Sequence, residues 1–264
     1  MDRSRQYLTR TVGQFDLGVI VRNGPYLWQG LQLSFLLATL AIAGGIFFGA
    51  ILAVLRMSSI RPVAWAALGY VNFFRSVPLI LVIFWLYFLV PLLLGRATGP
   101  FLSAVVAFTL FETAYYCEII RAGVQSIPKG QISAGVASGM TRIQAMRYIV
   151  LPQAFRNMTP VLLTQSIILF QDTSLVYVVT LRDFMTSVST VANQELRLVE
   201  LYLLAAIVYF AICFTGSRFV NQFGGGFRDF IPSANNTILV GQVLLSHQIT
   251  LQPRYHTYIY AFAS

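Results

Sequence analysis

Five runs of this sequence, roughly Leu27–Leu55, Val63–Leu94, Phe101–Ile120, Val161–Val179 and Val199–Val220, are long and apolar enough to cross a bilayer. About 30 Å of hydrocarbon takes about 20 helical residues at about 1.5 Å each. The remainder offers no way out of that reading. Only 10% of residues are charged and 57% are hydrophobic, whereas a water-soluble domain draws about a quarter of its residues from Asp, Glu, Lys and Arg. The expectation is an all-α integral membrane protein with five transmembrane helices.

A net charge of +9 suggests a nucleic-acid partner, but the basic residues punctuate apolar blocks and do not cluster on one wet face. No nucleic-acid partner is expected. The one lysine, in Ile127-Pro128-Lys129-Gly130, does not fit a Walker A loop, so the chain binds no ATP by that route. Cys117 and Cys213 lie far apart inside apolar stretches and read as inert buried thiols. His247 and His256 have no partner at ligand spacing. No metal site, cofactor or catalytic residue is expected, and the chain is not read as an enzyme.

Arg3, Arg5 and Arg10 resemble the start of a signal peptide, but Gln14 and Asp16 interrupt it before Ile20 and no small-residue cleavage site follows. The first span is read as an uncleaved membrane signal. Basic residues in short loops set orientation. The loop between spans three and four carries Arg121, Lys129, Arg142, Arg147 and Arg156 with no acid after Glu118, and the first-to-second loop carries Arg56 and Arg61. The loop between four and five sets Arg182 and Arg197 against Asp183, Glu195 and Glu200. The C-terminus is therefore expected in the cytoplasm and the N-terminus outside, with Arg3, Arg5, Arg10 and Arg22 on the disfavoured side.

Residues 121–160 are expected as a patterned non-spanning loop, longer than a mere connector. Ile132–Ser138 reads as a short helix of small residues stopped by Gly139 at a positive φ. Thr141 is a candidate N-cap for a second helix over Ile143–Ile149, and Pro152 suits the first turn of the next one. Small side chains admit close approach of another protein, with Arg142 and Arg147 flanking for acidic partners. An interfacial hairpin lying on lipid headgroups fits the same residues.

Gly139 followed after nine residues by Ile149-x-Leu151-Pro152 resembles the EAA loop of binding-protein-dependent ABC importer permeases. The resemblance covers about Gly24 to Val220. It includes Phe74-Arg75-Ser76-Val77-Pro78-Leu79, Glu118-Ile119-Ile120-Arg121-Ala122-Gly123-Val124-Gln125-Ser126-Ile127, Leu151-Pro152-Gln153-Ala154 and Gln171-Asp172-Thr173-Ser174-Leu175. Together these are similar to the polar amino acid branch, most of all to glutamate/aspartate permease subunits. The Glu and second Ala that name the loop correspond here to Ser133 and Gly135.

The resemblance implies the type I ABC importer (MetI-like) fold over residues 24–220, preceded by a periplasmic segment 1–23 and containing the cytoplasmic coupling loop. In that loop Ser133, Ala134, Gly135, Gly139, Arg142, Arg147, Leu151 and Pro152 would meet an ATPase. The implied partners are an ATP-binding subunit in two copies, a second, related permease chain, a periplasmic amino-acid-binding protein and the lipid bilayer. The implied function is ATP-driven import of a polar amino acid, glutamate/aspartate foremost, at the bacterial inner membrane. Glutamine, histidine or arginine are alternative substrates. An ion-coupled secondary amino acid transporter is the rival class, but it calls for inverted repeats and broken helices in matching halves, and no such repeat is seen.

Charges at membrane depth are costly and tend to face a cavity or one another. Arg75 in span two, Glu112 in span three and Asp172 in span four qualify. Pro78 cannot donate to the Phe74 carbonyl, so backbone polarity is freed beside Arg75. Arg75 offers a planar two-pronged donor for a substrate carboxylate, and Gln171, Asp172, Thr173 and Ser174 offer acceptors for an ammonium. With Glu112 these form the candidate substrate set. The alternative is that Arg75 pairs with Glu112 or Asp172 and only holds helices together. Glu118 and Arg121 read as a helix-surface ion pair, and Tyr26, Trp28, Trp65 and Tyr202 as a headgroup belt. After Val220, Gly224-Gly225-Gly226 is expected to end any helix, with 221–264 an atypical, poorly ordered tail.

Overall fold

The computed structural model describes residues 16–95 and 99–228, and every regular element among them is helical. Arg3, Arg5 and Arg10, and the expected tail beyond Arg228, lie outside the described residues. A short α1 (Gly18–Arg22) leads into α2 (Gly24–Arg56), which opens with Pro25 in its first turn and closes with Arg56 in its last. Both choices suit helix ends: proline lacks only an N–H that has no partner there, and a cation complements the C-terminal dipole. Then follow α3 (Arg61–Ser76), α4 (Leu79–Leu93), α5 (Pro100–Gln125), α6 (Lys129–Ala137), α7 (Arg142–Val179), α8 (Phe184–Gln194) and α9 (Leu198–Arg228).

Four helices are long and apolar enough to span, and α3 with α4 makes a fifth candidate only as a broken pair bent by 103°. The run Val63–Leu94 is thus not the single helix expected. Val77 is extended (φ −107°, ψ 135°) and Pro78 follows at φ −59°, ψ 135°. A residue before proline is pushed out of the α region, and proline supplies no N–H to carry the ladder across. Two further prolines are absorbed differently. Trp85–Leu89 and Met146–Val150 each widen into a π-turn just ahead of Pro91 and Pro152. Widening relieves the clash between a proline ring and the carbonyl four residues back without ending the helix.

That second π-turn changes the reading of residues 121–160. The helices there differ in extent from those expected: α5 runs on to Gln125, α6 occupies Lys129–Ala137, and α7 is continuous from Arg142 for 38 residues, tightening to a 3₁₀ helix over Thr173–Val179. Pro152 lies inside this long element and does not begin a new one. The sequence reading also lacked α8. Asp183 caps it, accepting from the backbone N–H of Thr186 at 2.9 Å and of Met185 at 3.0 Å, while Ser34 Oγ of α2 accepts from Phe184 N–H at 3.0 Å. Burial holds the Asp183 carboxyl above its ordinary range, against those hydrogen bonds. At the other end, α9 runs on through Gly224-Gly225-Gly226 to Arg228. Glycine lowers helix propensity by about 1 kcal/mol but keeps its N–H, so the expected break does not occur.

The centre of the bundle is α5. Phe108 and Phe111 sit in a core with Leu37 of α2, Leu79 and Ile83 of α4, and Leu169 and Val176 of α7. Tyr70 of α3 donates to the Leu110 carbonyl at 2.8 Å, and Tyr116 shares a 3.0 Å hydrogen bond with Ser166 of α7. Helix α2 comes closest, because glycines face α5. A Cβ on Gly45 would stand 2.9 Å from Glu112 Cβ and from the Tyr116 ring, and one on Gly49 would stand 2.8 Å from Tyr116 Cβ. Alanine at position 45 must therefore push the helices apart, whereas Gly69 has open space. Gly45→Ala is expected to lower stability by about 1–3 kcal/mol, read as an earlier thermal transition in detergent, and Gly69→Ala to leave that transition in place.

Candidate functional site

Arg75 occupies the last turn of α3, just before the break at Pro78. A cation here complements the carbonyls that the helix end leaves without intrahelical donors. Its guanidinium is half-buried and lies over the ring of Tyr115 on α5, 5.6 Å from the centroid. Glu112, one turn before Tyr115, is fully buried, and both of its carboxylate oxygens accept from Gln165 Nε2 of α7 at 3.2 Å. Asp172, half-buried, ends the α-helical part of α7 where the chain tightens.

Arg75 thus meets α5 at Tyr115, one turn from Glu112, and Asp172 lies two turns beyond Gln165, the partner of Glu112 on α7. The other candidates divide. Ser174 is half-buried and Gln171 is exposed, in contact with Cys213. Thr173 is buried, and its hydroxyl donates to the Phe170 carbonyl at 2.7 Å, so that donor is committed to its own helix. Chemically the cluster offers a planar cation and a carboxylate at the edge of the packed interior, backed by a carboxyl set deeper. Sequence reading missed Tyr115 and Gln165. Helical spacing pointed to both, since Tyr115 is three residues from Glu112 and Gln165 is two turns before Asp172.

One turn beyond Tyr115 on α5 the expected Glu118–Arg121 pair has a third member, Arg56 from the end of α2. Arg121 also donates to Gln125. Among the belt residues, Trp28, Trp65 and Tyr202 are exposed, whereas Tyr26 is partly buried against Phe184, Val188 and Leu201.

The hairpin between α6 and α7 is closed by local hydrogen bonds on both sides. Gly139 N–H donates to Val136 O at 3.0 Å and Met140 N–H to Gly135 O at 3.1 Å, with Gly139 at φ +88°, which is a Schellman ending. Thr141 then caps α7: its N–H donates to Gln144 Oε1 at 2.8 Å and its Oγ1 accepts from Gln144 N–H at 3.3 Å. Gly135 faces inward, where a Cβ would stand 2.8 Å from Ile149 Cδ1 and 3.3 Å from Ala145 Cβ. Ser133, Ala134, Arg142, Arg147, Leu151 and Pro152 face outward beside Val136 and Ile143, which is 80% exposed. Arg147 lies over the Tyr148 ring. This outer surface is small, apolar and edged with cations, suited to a close-fitting partner with acidic groups.

Residues 45–229 match the family described as binding-protein-dependent transport system inner membrane component. The chain is 50% identical over 215 residues to the glutamate/aspartate import permease protein GltK of Escherichia coli O157:H7, covering 79% of this chain and 96% of that protein. It is 34% identical over 206 residues to the probable glutamine ABC transporter permease protein GlnM of Bacillus subtilis (strain 168), covering 78% and 95%. The fold superimposes with a TM-score of 0.76 and 30% identity on a chain from the crystal structure of an amino acid ABC transporter with histidines, over 80% of this chain and 98% of that one. A chain of the inward-facing MetNI methionine ABC transporter shares the fold at a TM-score of 0.57 and 21% identity, over 79% and 99%.

Proline at 139 can neither adopt a positive φ nor donate to Val136 O. Gly139→Pro is expected to insert normally but to lose coupled uptake after reconstitution with the ATPase, while ATP hydrolysis continues. Uptake at the unmodified rate would refute a coupling role for the hairpin.

Proposed function

The chain belongs to the family of binding-protein-dependent transport system inner membrane components, and we propose that it is the glutamate/aspartate permease of its importer. It is a multi-pass inner membrane permease subunit of an ABC importer, a translocation component without catalytic chemistry of its own. An ATPase and a binding protein are its general partners. The observation that carries the substrate is the 50% identity to the Escherichia coli glutamate/aspartate permease over 96% of its length.

The geometry supports the same reading. Arg75 supplies a fork for a carboxylate, and Asp172 supplies an acceptor for the ammonium of the same amino acid. In the proposed assembly two permease chains, this one and a related partner, enclose the pathway. Two ATPases sit against the α6–α7 hairpins, and a periplasmic binding protein delivers the substrate to the face that carries the N-terminus. Closure of the ATPases moves the hairpins, and the helices rock as rigid bodies between inward-open and outward-open cavities.

The direct test is reconstitution in proteoliposomes with the cognate ATPase and binding protein. Glutamate and aspartate are expected to stimulate ATP hydrolysis and accumulate inside, and a dead ATPase to abolish both. Stimulation by glutamine, histidine or arginine instead reassigns the substrate. Arg75→Ala is expected to reduce uptake about 10- to 100-fold, the scale of one hydrogen bond to a charged group, with assembly and basal hydrolysis retained. Unchanged rate and apparent affinity would remove Arg75 from the substrate site.

A further inference from the structure

We propose that Ile143, at the tip of the α6–α7 hairpin, is the apolar anchor by which this chain docks on its ATPase, filling a pocket whose rim is acidic and faces Arg142 and Arg147. The inference rests on the coupling role given to the hairpin above.

No large hydrophobic side chain among the described residues is more exposed than Ile143, at 80%, and Val136, Met140 and Met146 near it in the hairpin are exposed as well. Lipid does not account for this patch. α7 has 38 residues, which at about 1.5 Å each reach about 57 Å, against about 30 Å of hydrocarbon. Its apolar run begins only near Val161, and the turns before it carry Arg142, Gln144, Arg147, Gln153, Arg156 and Asn157. The excess length therefore carries the hairpin clear of the bilayer. An apolar patch left there in water marks a protein interface.

The anchor is held ready. Gly139 and the Thr141 cap fix the turn, Ala145 and Ile149 close on Gly135, and Ile127, Val150 and Ala154 pack at the root. Ile143, two residues before Ala145, lies about 200° from it around the helix, so the packing that builds the hairpin turns Ile143 outward. A side chain displayed on a preorganised turn loses little freedom on docking.

The charge of the partner follows from what the hairpin lacks. Residues 119–171 contain Arg121, Lys129, Arg142, Arg147 and Arg156 and no Asp or Glu. Arg121 is paired with Glu118, whereas the other four form no ion pair among the described residues. Arg142 adjoins Ile143, and Arg147 follows one turn later. The hairpin has no carboxylate to offer a basic partner, so complementarity runs with cations on this side and carboxylates on the ATPase.

The test reads the apparent Kd of the ATPase by diluting the assembled transporter in nanodiscs. Ile143→Leu is expected to stay within about twofold of the unmodified complex, and Ile143→Ser to weaken association at least about tenfold without moving the thermal transition of the permease. The Arg142→Glu, Arg147→Glu double variant is expected to weaken association at least about tenfold and to lose the salt sensitivity of the unmodified complex. Equal affinity of the Ser and Leu variants, or indifference to charge reversal, overturns the inference. An environment-sensitive fluorophore on Ile143→Cys, the cysteines at 117 and 213 being buried, is expected to shift to the red as the ATPase leaves. Emission that stays blue after dissociation in anionic-lipid nanodiscs assigns the patch to the membrane and also overturns it. If Ile143→Ser binds normally while Gly139→Pro still uncouples, the inference fails and the coupling role stands. If Gly139→Pro leaves uptake intact, the coupling role fails and the inference with it.

Discussion

A peptide group in hydrocarbon has no water to turn to, so each N–H and C=O along these spans must be satisfied inside the protein. Regular helix does this automatically, and departures from it are tolerated only where protein surrounds them. The departures here are few. They include the gap at Val77-Pro78, π-turns ahead of Pro91 and Pro152, and the tightening after Asp172. The gap and the tightening coincide with Arg75 and Asp172. The loosened backbone and the intramembrane charges thus have a common cause, since each is stable only in the enclosed, partly polar interior that the other helps to create.

That interior is built against α5, and neighbouring positions on this helix take different duties. Glu112 and Tyr116 turn toward the glycines of α2 and are sealed by them, one bonded to Gln165 and the other to Ser166 of α7. Tyr115, between them, lies under Arg75. The glycines that bring α2 close therefore cover Glu112 on one side of α5 and leave Tyr115 to meet Arg75 on another. One turn beyond Tyr115, Arg56 joins Glu118 and Arg121, tying the same two helices a second time.

Much of this was legible in the residues. Apolar length marked four spans, Gly139 and Thr141 marked both sides of the hairpin, and the scarcity of intramembrane charge drew attention to Arg75, Glu112 and Asp172. The remainder depended on information that hydropathy does not carry. The break at Pro78 was visible as a lost hydrogen bond but not as a change of direction, because apolar residues continue on both sides. The start of α7 was legible at Thr141, but its continuity through Pro152 was not, because a π-turn ahead of a proline leaves no mark in hydropathy. α8 did carry a helical pattern, Phe184, Val188, Val191 and Ala192 behind an Asp183 cap, but at eleven residues it fell below the length that defines a span. Tyr115 and Arg56 belong to contacts between helices, and a single sequence does not give the rotation of one helix against another.

The continuity of α7 has a further consequence. Arg142 on the exposed hairpin and Asp172 in the interior cluster belong to one helix, separated by about 45 Å at about 1.5 Å per residue, with no loop between them. Their relative angle is therefore fixed by a count of residues. One residue inserted between them would rotate the acid by about 100° about the helix axis unless a π-turn relaxed to absorb it. Along this stretch the number of residues is constrained as tightly as their identity, and evolutionary change here should proceed by substitution while insertions and deletions are confined to the loops.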